Sequence, residues 1–364
     1  MTDWAKSGRV DTFSCYLVNP FSLSEVREVA INGAKCSLSW GYYTDNRVSG
    51  KIVLAKGEDF EEGEVAQMVR LRQTTKVDGQ VFSRILATMF VKSAELNIEG
   101  GVKTRTLNCY GTLYRLTQDE LIDDFQCVSG ANIIDEMSAF VTDRGGSVYV
   151  DPDVDKTRVH SVTTGLFELG SAISSCMNTI AGWANLEVSD TPYGEVRISN
   201  YVLPANKGVA YTYREGSSCV RLPGITHSDN RGDSRYNRVL AYYSRESKQD
   251  GDSYPLTDRA VATLGEGSPY SYQRCGRWCS HVEKVTDPCS HDDLKLKAQR
   301  ILEENSGSIK YIEIEAIDVH EVTAGCCVNY VEDGSTVKCL VTQIETKSGL
   351  TPGMPCSLKL KVVG

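Results

Sequence analysis

Short runs in which apolar and polar residues alternate dominate the first third of the chain. The clearest runs are residues 13–18, 36–40 and 51–54, and turn dipeptides such as Asn32-Gly33 separate them. The alternation continues along residues 65–73, 81–98 and 102–113. Several short strands joined by turns are typical of a β-barrel or a β-sandwich. The pattern therefore predicts one β domain here.

The spacing of apolar residues changes to three and four after residue 128. Ile133, Met137 and Val141 recur at the helical period, and Ser129 is a suitable N-cap for that helix. A second helical run covers residues 173–184, and two alternating runs that meet at a Pro-Tyr-Gly turn follow it. Two helices and a strand pair predict a small α/β region.

Alternation returns after residue 206 and lasts, with one interruption, to the end of the chain. The interruption begins with a polar, turn-rich stretch at residues 245–270. It ends with a helix that Ser290 can cap and whose first turn carries Asp292 and Asp293. From residue 309 onward the pattern is β again. We therefore predict an α+β fold with several domains.

Length and composition fit a folded protein. A chain of 364 residues has room for about two to four domains. The net charge of −9 argues against a main role in holding nucleic acid, because phosphate is bound mostly by Lys and Arg. No apolar run approaches the roughly 20 residues of a membrane span, and the N-terminus lacks the pattern of a secretion signal. We therefore expect synthesis in a cytoplasm.

Thirteen cysteines are many for a chain without an export signal. Cys36, Cys109, Cys176 and Cys339 lie in apolar or alternating stretches, where cysteine behaves as a small hydrophobic side chain. Disulfide frameworks belong mainly to small secreted proteins. We therefore expect reduced, buried thiols.

The second half of the chain resembles phage tail hub proteins, the baseplate or tail-tip hub family whose β-barrels are like those of the tail tube. Each matching motif is short, and the resemblance rests on their order and spacing. The motifs are the hairpin at residues 190–201, Asn237-Arg238-Val239, Gly276-Arg277, Ala298-Gln299-Arg300 and Leu350-Thr351-Pro352-Gly353-Met354.

This resemblance implies two tail-tube-like β-barrel domains with an inserted α/β region. The implied parts are an N-terminal barrel at residues 1–115, an α/β insert domain at residues 116–205, and a second barrel at residues 206–364. The second barrel would comprise about residues 206–243 and 309–364, interrupted by a loop and helix insertion at about residues 245–305. Two similar barrels per chain would let a homotrimer present a pseudo-sixfold face to a sixfold tube.

The implied function is structural, as a homotrimeric ring at the distal end of the tail tube that connects the tube to the tail tip or baseplate. The implied partners are the tail tube or a distal tail protein, the tape-measure protein, and a tip, fibre or receptor-binding protein. DNA would pass through the channel without specific binding. The implied location is the virion, after synthesis in the host cytoplasm. Larger members of the family carry a cell-wall hydrolase or receptor-binding region, which we expect on another polypeptide.

The residues predict neither a catalytic site nor a cofactor site. The sharpest competing signal is a possible zinc cluster formed by Cys275, Cys279, His281, Cys289 and His291. Zinc takes four such ligands, but these spacings are not those of a usual zinc knuckle. His227-Ser228-Asp229 does not predict a triad, because triad members normally come from separate segments. We therefore predict a protein that is not an enzyme.

Three alternatives stay open. The same fold would serve the hub of a contractile injection system or of a tailocin. A zinc-dependent enzyme or zinc-binding module centred on residues 275–291 would hold a stoichiometric metal and lose function when Cys279 or Cys289 is replaced by Ser. A receptor-binding module would need a repeated or aromatic-rich distal domain, which the sequence does not contain.

Overall fold

The structure is a computed structural model. It describes residues 4–5, 8–58, 68–99, 102–160, 163–215, 220–230, 236–245, 256–268, 270–285, 290–305 and 309–363. Within these ranges, no helix is long and apolar enough to cross a membrane. Strands are far more numerous than helices, which confirms the predicted α+β class with mainly β structure.

The N-terminal part contains seven strands and one short helix: β1 (Val10–Val18), β2 (Glu25–Val29), β3 (Ser37–Gly41), β4 (Val48–Val53), β5 (Met68–Val77), β6 (Gln80–Glu99), β7 (Val102–Tyr110) and α1 (Tyr114–Thr117). The insert that follows contains β8 (Phe125–Cys127), α2 (Ile133–Thr142), β9 (Val148–Val150), β10 (Thr164–Phe167), α3 (Ile173–Trp183), β11 (Leu186–Asp190) and β12 (Val196–Asn200).

The C-terminal part begins with β13 (Val209–Tyr213), β14 (Arg221–Asn230), β15 (Arg238–Arg245), β16 (Leu256–Thr263), α4 (Tyr272–Cys275), β17 (Ser280–Val285) and α5 (His291–Asn305). It ends with β18 (Ile309–Ile317), β19 (Cys327–Glu332), β20 (Ser335–Thr346) and β21 (Pro355–Val362).

One sheet of 13 strands contains strands from both ends of the chain. Its order is β14-β18-β21-β20-β3-β4-β7-β6-β5-β1-β2, and a branch at β20 consists of β19, which pairs with β20, and β13, which pairs with β19. The junction is the antiparallel pair of β20 and β3, in which Ile344 lies opposite Trp40. Among the described residues this sheet is open, with β14 and β2 at its ends, and it does not close into a barrel. The strands predicted for two barrels therefore lie in one continuous sheet.

One hydrophobic core lies against the large sheet and also draws residues from both ends of the chain. Leu17, Met89 and Leu107 come from the N-terminal strands, and Val328 and Leu358 come from the C-terminal strands. All five are buried. Because this apolar surface is shared, pulling the two ends apart would expose it to water at a cost proportional to its area.

The insert has its own core between two helices and two small sheets. Met137 of α2 and Met177 of α3 are buried in it, and the predicted hairpin is confirmed as the antiparallel pair of β11 and β12. The predicted N-cap was wrong. Asn132, not Ser129, caps α2, because the Asn132 side chain directly precedes the helix and accepts hydrogen bonds from the backbone N–H groups of residues 134 and 135.

A third unit is a three-stranded sheet in the order β16-β15-β17 with α5 packed against it. The stretch predicted as turn-rich at residues 245–270 was therefore partly wrong, since it contains the strand β16. The predicted helix at Ser290 is confirmed. Ser290 and Asp293 form a reciprocal cap, with the Ser290 hydroxyl accepting from Asp293 N at 3.1 Å and Asp293 Oδ2 accepting from Ser290 N at 3.2 Å.

The predicted burial of cysteine is confirmed for most of the described cysteines, including Cys36, Cys109, Cys176 and Cys339, whereas Cys275 is exposed and Cys279 and Cys326 are partly buried. Eight cysteines are buried, at positions 15, 36, 109, 127, 176, 327, 339 and 356. Burial raises the pKa of Cys36 to about 11 and that of Cys339 to about 12. A thiol with so high a pKa stays protonated at neutral pH and is unreactive, which is the behaviour of a packing residue.

Candidate functional site

The two open ends of the large sheet are the first candidate surface for assembly. The edge strand β2 pairs with β1 on one side, and among the described residues no strand pairs with its other side. At the opposite end β14 pairs only with β18 within the described chain. Unpaired edge strands present rows of N–H and C=O groups that favour pairing with another chain. Val26 on β2 is 53% exposed, so this edge also carries apolar surface.

A buried polar network joins the N-terminal strands to the C-terminal segments. Its centre is Asp11, which accepts hydrogen bonds from Arg9 Nε at 2.9 Å, from Gln73 Nε2 at 3.2 Å and from Gly353 N at 2.6 Å, and also from the Thr75 hydroxyl. Burial raises the pKa of Asp11, but the hydrogen bonds from Thr75 and Arg9 outweigh it, so the pKa lies below its usual value. The carboxylate is therefore ionised and fully engaged at neutral pH.

A second carboxylate, Asp318, extends this network across the core. It is paired with Arg84 and accepts from Gln73 Nε2 at 3.3 Å. His320 lies beside it, with its Nε2 3.0 Å from the Thr75 hydroxyl and its ring centroid 4.3 Å from that of Trp4, the two rings being tilted by 34°. Burial, with help from the positive charge of Arg84, lowers the pKa of His320 to about 4, so the ring is neutral at physiological pH.

A further set of polar contacts attaches the insert to the large sheet. The Tyr42 hydroxyl lies 3.1 Å from Glu187 Oε2 on β11, and Lys207 Nζ lies 3.3 Å from the same hydroxyl. Asp190 accepts from Leu113 N at 2.8 Å and from the Thr112 hydroxyl. Burial raises the pKa of Asp190 above its usual value in spite of these hydrogen bonds. The insert is thus held by specific contacts as well as by its two chain connections.

The described members of the predicted zinc cluster have other partners. His281 Nε2 lies 3.2 Å from Glu283 and its ring stacks on Tyr236, while His291 Nδ1 lies 3.1 Å from Asp258. Cys275 ends α4 at the surface and Cys279 is partly buried. Cys289 lies outside the described residues. The zinc cluster at residues 275–291 therefore stays the less favoured alternative to the predicted absence of a metal site.

The remaining sequence candidate lies on a strand. His227 and Ser228 are consecutive residues of β14, and consecutive strand residues point to opposite faces of a sheet. His227 instead pairs across the sheet, with its Nε2 3.1 Å from Glu332 Oε2. The structure therefore shows an exposed contact between an imidazole and a carboxylate at this position.

The structure brings together a different set of metal-ligand residues. Cys127, Glu136 and His160 each offer one ligand atom, and these three atoms all lie within 4.8 Å of one another. Among the described residues, this is the one set of three or more such side chains that converges in this way. The three residues lie on β8, on the first turn of α2 and on the loop before β10, so no short spacing in the sequence indicated the cluster.

Comparisons with known proteins were made on sequence and on structure. No protein-family profile and no curated protein matches the chain. Solved structures do match over nearly the whole chain. A tail protein from Neisseria meningitidis has a TM-score of 0.63, 14% identity and coverage of 96% of both chains. A prophage tail protein from Listeria monocytogenes has a TM-score of 0.60 and 11% identity, and covers 96% of this chain and 94% of its own.

A third match is the 43 kDa tail protein of prophage MuSo2 from Shewanella oneidensis. It has a TM-score of 0.58 and 11% identity, and covers 96% of this chain and 98% of its own. At such identities the similarity concerns the fold. The fold is that of phage tail proteins, and the resemblance predicted from the sequence is confirmed at this level.

Proposed function

We propose that this chain is a non-enzymatic tail hub protein that forms a homotrimeric ring at the distal end of a tail tube. The observation that carries the proposal is the match of nearly the whole fold, sheet and insert together, to a tail protein and two prophage tail proteins. A shared site alone would suggest shared chemistry, whereas a fold shared end to end suggests a shared place in a particle. This is an analogy at the level of the fold, and it is therefore tested through assembly.

The symmetry of the proposed ring rests on the two groups of strands in the large sheet. The N-terminal strands β1–β7 and the C-terminal strands β18–β21 lie side by side and meet at β3 and β20. Two related units per chain would give three subunits six docking units for a sixfold tube. We propose the division into residues 1–115, 116–205 and 206–364 on this basis, with the first and last parts facing the tube.

The subunit contacts of the proposed ring are the open edges of the sheet. In a closed ring, β2 of one subunit would meet β14 of the next, so that these two edges gain a partner. Such a contact is heterologous, and a rotation of one third of a turn closes it. The ion pair between Arg27 and Glu58, at 2.9 Å, and that between Arg72 and Glu25, at 2.7 Å, hold β2 in place for this contact.

The proposed channel passes the tape-measure protein and then DNA, and the distal face binds a tip, fibre or receptor-binding protein. The net charge of −9 supports passage of DNA without binding, because phosphate is held by Lys and Arg. The proposed location is the virion tail, after synthesis in the host cytoplasm.

Native mass spectrometry of the purified chain, alone and with its tail-tube protein, tests the ring. We expect a trimer at least in the sample that also contains the tail-tube protein. Val26→Lys, on the open edge of β2, should weaken the trimer because it places a charge at the proposed contact between β2 of one subunit and β14 of the next. Val261→Lys is the matched control, because Val261 is 54% exposed on β16, outside the large sheet. A chain that stays monomeric with the tube protein present would overturn the ring. Equal fractions of trimer for the two variants would overturn the assignment of the subunit contact to β2 and β14.

A further inference from the structure

We propose that Cys127, Glu136 and His160 form a zinc site inside the insert. The ligand atoms converge within 4.8 Å, and His160 Nε2 lies 2.8 Å from Glu136 Oε2. Thiolate, imidazole and carboxylate are the three ligand types that Zn²⁺ takes in proteins. The set suits zinc and the related ions Co²⁺ and Cd²⁺ better than calcium or magnesium, which prefer oxygen ligands only.

The separations are close to those of a tetrahedral site. Zinc lies about 2.3 Å from sulfur and about 2.0–2.2 Å from nitrogen and oxygen, so neighbouring ligand atoms are about 3.3–3.7 Å apart. Ligand atoms at most 4.8 Å apart therefore need side-chain shifts of about 1 Å to close on an ion. The fourth position would be taken by water, as in sites with three protein ligands.

The charges also balance. Metal binding removes the thiol proton, so Cys127 and Glu136 would supply two negative charges and neutral His160 none. Together they neutralise Zn²⁺. A neutral assembly is favoured here because Cys127 and His160 are both fully buried, and an isolated charge at that depth is strongly disfavoured.

The backbone holds the three residues in place before any ion binds. Gly130 N donates to His160 O at 2.8 Å, and His160 N donates to Ala131 O at 2.9 Å. Ile133 N donates to Arg158 O at 3.1 Å, which fixes the start of α2 against the same loop. The loop that carries His160 is thus bonded directly to the segment between Cys127 and Glu136, and the ligands do not need to be gathered from mobile parts.

Aromatic rings enclose the cluster on one side. The His160 ring lies 6.5 Å from Trp183, and Trp183 stacks on Phe167 at 5.9 Å. Phe125, two residues before Cys127, packs on Phe140 of α2 at 4.9 Å. A hydrophobic shell of this kind limits solvent access and lowers the local dielectric constant around an ion. A bound ion would link β8, α2 and the loop before β10 to one another.

The test uses the full chain, purified without chelator. We expect one zinc per chain by native mass spectrometry, and a lower melting temperature after zinc is stripped and before it is restored. Replacing zinc with Co²⁺ should produce a thiolate-to-cobalt absorption band and quench Trp183 fluorescence. Cys127→Ser should abolish the band, and Glu136→Gln provides a second variant should the first fail to fold.

Two cysteine variants serve as controls for this site. Cys176→Ser removes another buried thiol of the same insert and should keep the metal. Cys279→Ser tests the zinc cluster predicted at residues 275–291 and should also keep the metal. A chain that binds no zinc and whose melting temperature zinc does not change would overturn the site, leaving a hydrogen-bonded Cys-His-Glu cluster. Metal retained in both Cys127→Ser and Glu136→Gln would overturn it too. Neither result depends on whether the chain forms a ring.

Discussion

Replacing Asp11 with Asn should destabilise the junction between the two ends of the chain more than any surface substitution of the same kind. Asp11 is 5% exposed, and Arg9, Gln73, Thr75 and Gly353 all donate to its two oxygens. The amide keeps one acceptor oxygen and turns the other position into a donor. At least one of these donors would then face another donor in a buried place.

The size of the stability loss depends on the charge of Arg9, which Asp11→Asn leaves without its main partner. Removing one partner of a buried ion pair costs about 3–5 kcal/mol. Arg9 would keep a weaker contact with Asp318 Oδ2 at 3.7 Å, so the lower end applies and we expect a loss of about 3 kcal/mol. Glu315→Gln is the matched control. Its ion pair with Lys347 spans 3.4 Å at the surface, with both side chains nearly half exposed, and should change stability by less than about 1 kcal/mol.

Urea unfolding followed by tryptophan fluorescence measures both variants, because the Trp4 ring lies 4.3 Å from the His320 ring beside the network and reports its disruption. The Asp11→Asn midpoint should lie well below that of the wild type, and the Glu315→Gln midpoint close to it. Equal midpoints for the two variants would refute the reasoning, since they would mean that the network does not stabilise the junction.

Three further predictions concern acid stability, a helix cap and a turn. The pKa of His320 is about 4 in the folded chain, so between about pH 6.5 and 4 only the unfolded chain gains the proton, and stability should fall by about 2 kcal/mol over this range for the partly buried ring. In His320→Gln, the urea midpoint should depend less on pH across the same range. An unchanged pH dependence would contradict the assignment. Asn132→Ala should cost about 1 kcal/mol in urea unfolding, while Ser129→Ala should cost almost nothing, and equal losses would contradict the observed cap. Gly349→Ala should lower the free energy of unfolding, measured thermally or in urea, by about 2 kcal/mol more than Gly57→Ala does. Both glycines have positive φ, but only at Gly349 would the new Cβ lie 2.6 Å from backbone carbonyl oxygens. Similar losses for the two variants would contradict this close approach.

The helices and most strands could be predicted because their signals are local. The run from Ile173 to Trp183 and the Ser290 cap depend on residues three or four positions apart, and both elements are present. The strand β2 was missed, because its sequence Glu-Val-Arg-Glu-Val carries no buried alternation; only its last residue, Val29, is buried. Pairing with β1 and ion pairs to neighbouring arginines make it a strand.

The choice of partners among the strands required the tertiary structure. The resemblance implied separate barrels for the two ends of the chain, but β3 and β20 pair although about 300 residues separate them. The Cys127, Glu136 and His160 cluster likewise joins three elements that no motif links.

The sequence by itself determined most of the strands and helices, the burial of four named cysteines and the fold that the chain resembles. It could do so because strand and helix periods are set by the geometry of a few neighbouring residues. The continuous sheet, its open edges and the buried cluster were decided only in the tertiary structure, because they depend on packing between residues that the chain brings together from far apart.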